Sequence, residues 1–237
     1  MKLIELLYRR ETRSPMLALT FASVAGVALV ITRMVFTHNY RYAFLVWNLF
    51  LAWLPLIFAL MARDSFKNGA KNNWRFRALS GAWLLFLPNA PYIFTDVIHL
   101  LNGRLQHFWL DLTLILICAL TGLVLGFVSL YLMQGVVSRM FGQAVSWLFI
   151  AAATGLSGFG IYLGRFLRFN SWDVLTRPGK LFNGLTDWAA NPMANSHSLA
   201  FPALFAAFLF IAYVMLYALT HLPRNLHMPV ETEPAGA

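Results

Sequence analysis

Six stretches of this chain are each apolar for long enough to cross a lipid bilayer, and that repetition constrains the fold more than any other feature. A helix needs roughly 20 predominantly apolar residues to span the hydrocarbon core. The stretches cover residues 15–36, 42–61, 78–101, 108–133, 144–167 and 198–219. Inside hydrocarbon every backbone N–H and C=O must find its partner within the protein, so such segments are predicted to be helices. Charged residues make up 11% of the 237-residue chain, against about 25% in a typical soluble domain. The expected architecture is therefore all-α and polytopic, a single integral membrane domain over residues 1–237 with about six transmembrane helices. The third is broken at Pro88 and Pro91, and Pro55 predicts a kink in the second.

The net charge of +9 would suggest nucleic acid in a soluble protein. Here it reads as topology, because cytoplasmic connections collect Lys and Arg. Lys2, Arg9, Arg10 and Arg13 precede the first span, and Arg63, Lys67, Lys71, Arg75 and Arg77 follow the second. Only Arg33, near the end of the first, and Arg41 lie at the connection between the first and second. This asymmetry predicts cytoplasmic N- and C-termini. No A-x-A site ends the first apolar run, so it is expected to remain as an uncleaved helix. The one cysteine, Cys118, lies within an apolar run and has no partner for an intrachain disulfide.

Two polar stretches are not explained by bilayer crossing: LPNAPYIFTDVIHL at 87–100 and GRFLRFNSWD at 164–173. The predicted topology puts both at the outer face. Asp96, Asp111, Asp173 and Asp187 fall there too, with His38, His99, His107 and His197. In the first stretch Pro88 and Pro91 lack backbone donors and push their preceding residues away from helix. The helix should break near Asn89, with Pro91 in the first turn of a second half-helix capped by Asn89 or the Ala90 carbonyl. The break lies about 12 residues beyond Arg77, roughly 18 Å along a helix and so near mid-membrane. Irregular backbone at that depth must be buried in protein or line a cavity.

In an α-helical second half, Tyr92, Asp96 and His99 would share one face. Asp96 with His99 suits general acid–base work, or supplies two of the three or four ligands a zinc ion needs. Thr95 beside them can bond the backbone. The bland alternative is that the prolines only shape a kink and that Asp96 pairs with Arg104. In the second stretch Gly160 and Gly164 form a G-x-x-x-G for close helix packing. Arg165 and Arg168 are expected on one helical face, able to grip a phosphate or carboxylate, or to pair with Asp96 and Asp173. Asn170, Ser171, Trp172 and Asp173 read as a helix exit or the cap of a short following helix. The long connection 176–197, with Phe182 and Trp188, suits an interfacial segment that acts as a lid or an anchor.

No P-loop, dinucleotide fingerprint, G-x-S-x-G or H-E-x-x-H is present. Asp and Glu are missing from the span centres, which disfavours a proton-coupled transporter. The two polar stretches and the six-span layout resemble the bacterial membrane-protein family known as domain of unknown function 1361, over roughly residues 42–220. The resemblance implies a protein of the bacterial cytoplasmic membrane and carries no activity. Its motif positions correspond to Asn89, Pro91, Tyr92, Thr95, Asp96 and His99, and to Gly164, Arg165, Arg168, Asn170, Ser171, Trp172 and Asp173. The expected site is an outward-facing polar pocket. Asp96 and His99 would be catalytic or hold a metal. Asn89, Tyr92, Thr95, Arg165, Arg168, Asn170, Trp172 and Asp173 would bind an anionic, phosphate-bearing lipid or lipid-linked substrate. The alternatives are a small-molecule transporter or binding protein, and a non-catalytic membrane assembly partner.

Overall fold

The computed structural model describes residues 13–67, 74–100, 107–190 and 197–221. Among the described residues, five helices are long and apolar enough to cross a membrane. They are α1 (Arg13–Thr37), α2 (Phe44–Lys67), α5 (Phe108–Phe141), α6 (Gln143–Arg165) and α9 (His197–Thr220). The predicted third span is a broken element of three pieces: α3 (Trp74–Phe86), the single turn α4 (Asn89–Tyr92) and a 3₁₀ helix, Ile93–Leu100. It runs from one end of the bundle to the other. At its start the Phe76 ring meets Phe66 near the end of α2, and at its finish His99 meets Phe44 at the start of α2. The protein is thus an all-α, polytopic membrane protein whose described residues hold five continuous spans and one broken one. α2 continues as helix through Pro55.

Helix α5 is the axis. Its apolar segment is the most buried of the five, and those of α1 and α9 are the least. Side chains such as Phe21, Leu148 and Leu204 are left exposed, as expected where the solvent is lipid. Without a hydrophobic drive between helices in lipid, close packing through small residues and interhelical hydrogen bonds must hold the bundle. The break shows how. A Cβ on Gly122 would lie 2.5 Å from the Ala90 carbonyl oxygen, and one on Gly126 3.1 Å from the Ala90 Cβ. On the other side, a Cβ on Gly160 would lie 2.5 Å from Pro88 Cγ, and one on Gly164 3.1 Å from the Tyr92 ring. Two G-x-x-x-G pairs, one on α5 and one on α6, therefore clasp the broken segment. Gly122 and Gly126 straddle the midpoint of α5, so the break sits at half-depth in the bundle.

Beyond α6, a turn leads into α7 (Asp173–Thr176) and α8 (Pro178–Ala190). The connection expected at 176–197 is thus largely a helix. α8 keeps Phe182 exposed, packs Gly184 against Phe169 and sets Trp188 5.0 Å from the Phe159 ring.

Candidate functional site

A helix broken at Pro88 and Pro91 loses its regular i→i−4 bonding, so carbonyls just before the break need other donors. Leu87 and Tyr92 still close local turns, their N–H groups donating to the carbonyls of Trp83 and Pro88. The Leu85 carbonyl instead accepts the Ser171 hydroxyl at 3.0 Å. The Phe86 carbonyl accepts Asn89 Nδ2 at 3.1 Å. The same amide donates to Ser171 Oγ at 3.0 Å. The second polar stretch thus supplies the hydrogen bonds that the first lacks. Asn89 is not a helix cap: α4 begins with Asn89 after Pro88, without a side-chain cap, and Pro91 is its third residue.

The segment after α4 is 3₁₀ rather than α, and this changes which residues share a face. In a 3₁₀ helix residues three apart align. Asp96 and His99 do so, with His99 Nε2 3.8 Å from Asp96 Oδ1. Tyr92 leaves their face and lies against Gly164, with the Arg165 guanidinium 5.8 Å from its ring centre. An eight-residue 3₁₀ run exceeds the usual three or four; it ends a segment whose backbone already departs from α at the prolines.

Asp96 is buried and multiply bonded. Oδ1 accepts Arg165 Nη1 at 3.0 Å, and Oδ2 accepts Asn48 Nδ2 at 2.9 Å. Arg165 also donates from Nη2 to the Thr95 carbonyl at 2.7 Å, while the Thr95 hydroxyl turns back to the Tyr92 carbonyl. Arg41 donates to the His99 carbonyl at 2.7 Å. His99 itself is the open member: its side chain is 39% exposed, against 2% for Asp96. Arg104, the pairing alternative for Asp96, lies outside the described residues.

Arg168 does not join this cluster. α6 ends at Arg165, so the two arginines do not share a helical face. Arg168 adopts φ +57°, a left-handed conformation uncommon for any residue but glycine, and its side chain is exposed. Among the described residues Asp173 pairs with no arginine; its Oδ2 accepts the Asn170 N–H at 2.7 Å, closing the turn that leads into α7. Asn170 is exposed and Trp172 half-buried. Among the described residues no three His, Cys, Asp or Glu side chains gather as a metal-holding group.

Several participants were not singled out from sequence. Asn48 is a lone polar residue within the second span. Gly122 and Gly126 carried a readable G-x-x-x-G signal. At the same end of the bundle Arg33 and Asp111 form a buried two-point ion pair, Nε to Oδ1 at 2.8 Å and Nη2 to Oδ2 at 3.3 Å. The Arg33 guanidinium also lies 4.6 Å over the Tyr42 ring and donates to the Asn39 carbonyl. Arg33 is therefore an internal tie from α1 to α5 rather than a loop charge.

No curated protein and no solved structure matches this chain. A family model described as "Protein of unknown function (DUF1361)" matches residues 47–216, which include both polar stretches and Asn48. The chain belongs to this family, and it is an integral membrane protein of unknown activity.

Proposed function

We propose that the Asp96 end of the bundle is the working face of a membrane enzyme that acts on a phosphate-bearing lipid or lipid-linked substrate. One observation carries the reading: a half-exposed imidazole stands against a carboxylate that is itself buried and fixed by Arg165 and Asn48. A buried carboxylate can orient and stabilise an imidazole that exchanges protons with a substrate, and the 3.8 Å separation can tighten on binding. Arg168 is the exposed guanidinium beside this end and would take the phosphate. Arg165 is already engaged, so it positions Asp96 rather than gripping the anion. Asn89, Ser171 and Asp173 hold the scaffold. Tyr92, Trp172 and Asn170 would border the lipid.

In this reading residues 1–237 form one membrane domain of the bacterial cytoplasmic membrane. Both termini are cytoplasmic and the Asp96 end faces outward; the Lys and Arg asymmetry of the first half supports this orientation. A second reading, a non-catalytic assembly partner, is favoured by the completeness of the Asp96–Arg165–Asn48 bonding, which would serve equally as a clamp.

The test reconstitutes the purified protein in vesicles of phosphatidylglycerol and a polyprenyl phosphate and follows lipid conversion by mass spectrometry. His99→Gln should lower turnover by about 10²-fold or more without changing the unfolding midpoint. Arg168→Gln should raise KM. Turnover indifferent to His99 would sink the assignment. No conversion, together with a membrane protein that co-purifies with wild type but not with Arg168→Gln, would select the assembly reading.

A further inference from the structure

The end of the bundle opposite Asp96 holds a cavity of about 660 Å³, within the range of small-molecule sites. It lies where α1 begins and where α2, α5 and α9 end. Its rim carries Arg63, Lys67 and Arg139. None of the three makes an ion pair among the described residues. Its deeper wall is apolar, with Leu60, Phe127 and Val128. Gln134 also lines it. That side chain is 3% exposed; its Oε1 accepts the Tyr213 hydroxyl at 2.6 Å, while its Nε2 has no hydrogen-bond partner among the described residues. A buried donor without an acceptor is costly and marks a wall that a polar ligand atom would complete.

We infer that this cavity binds one anionic phospholipid, its phosphate against Arg63, Lys67 and Arg139 and an acyl chain along Leu60, Phe127 and Val128. Three features select a lipid over a soluble anion. The cations ring an apolar interior. Two of the bounding helices, α1 and α9, are the least buried in the bundle, so the site borders the bilayer. Basic pockets between membrane helices commonly take anionic headgroups on the cytoplasmic side, the side to which the Lys and Arg asymmetry assigns this end. The inference does not depend on the reading of the Asp96 end.

Gly135 supplies a clean variant. It lines the cavity, and a Cβ there would meet no atom within 4 Å, so Gly135→Phe fills the space without a clash at its root. The full-length protein is taken from vesicles of equal phosphatidylglycerol and phosphatidylcholine, and retained lipid is counted by native mass spectrometry. One phosphatidylglycerol per chain is expected, in at least tenfold preference to phosphatidylcholine. The preference should be lost in the Arg63→Gln/Arg139→Gln double variant, and retention itself in Gly135→Phe. His99→Gln should bind as wild type does. Equal retention of the two lipids, or undiminished phosphatidylglycerol in Gly135→Phe, overturns the proposal. So does displacement by millimolar inorganic phosphate, which would mark a free-anion site. Binding that appears only after residues 222–237, with Glu231 and Glu233, are removed would also overturn it, by assigning the cavity to the chain's own tail.

Discussion

Removing the Asp96 carboxylate should damage the fold as much as any single polar change at this end of the bundle. Asp96→Ala leaves Arg165 Nη1 and Asn48 Nδ2 without their acceptor, at a site where the carboxylate is 2% and the guanidinium 16% exposed. Breaking one side of a buried pair typically costs about 3–5 kcal/mol, because the remaining charge stays buried without compensation. Arg165→Ala should cost a similar amount; it strands the carboxylate with Asn48 alone and also removes the bond to the Thr95 carbonyl. The double variant loses both charges, so it should cost much less than the sum. The coupling energy is expected at about 2 kcal/mol or more, near the upper end for contacting residues. Unfolding by SDS in mixed micelles, followed by far-ultraviolet circular dichroism, measures all four corners of the cycle. Coupling below about 0.5 kcal/mol would mean that the two residues act independently and that the ion pair does not hold the broken helix to α6.

Other outcomes follow from the same packing. Arg33→Met and Asp111→Leu should each destabilise by about 3–5 kcal/mol, while the double change should come out near neutral, since apolar replacement of a whole buried pair is often tolerated; SDS unfolding of the three variants decides it. Gly160→Val should lower the amount of folded protein recovered in mild detergent, because its Cβ would fall 2.5 Å from Pro88 Cγ, whereas Gly155→Ala, with nothing within 4 Å, should be harmless. Ser171→Ala leaves the Leu85 carbonyl unbonded and should cost about 1–3 kcal/mol in the same unfolding assay.

The architecture was largely legible in the chain because apolar length translates directly into spans. Pro88 and Pro91 together announced the break, whereas the single Pro55 is carried within the continuous α2. The geometry beyond the break was not legible. Sequence spacing alone does not separate an α-turn from a 3₁₀ turn, so Tyr92 was placed on the Asp96 face when it lies against Gly164. Arg168 was grouped with Arg165 because the end of α6 at Arg165 and the left-handed turn beyond it leave no periodic signature. Asn48 could not be linked to Asp96 from sequence, because their contact joins residues 48 positions apart. Both polar stretches stood out in composition, but the division of labour between them needed coordinates. Asn89 and Ser171 satisfy backbone, Asp96 and Arg165 tie the helices, and His99 and Arg168 are left facing outward from the protein.

The measurement closest to the central claim joins the two stretches covalently. Asn89 and Ser171 are hydrogen-bonded through their side chains, so paired Asn89→Cys and Ser171→Cys substitutions, in a Cys118→Ser background that removes the sole native thiol, should be joined by a short, reducible bis-methanethiosulfonate crosslinker. A protease site introduced between residues 103 and 106 makes the outcome readable on a gel. After cleavage the fragments should stay together until reductant is added. Fragments that separate without reductant, from protein that remains folded, would contradict the account: the second stretch would not seat against the break in the third span.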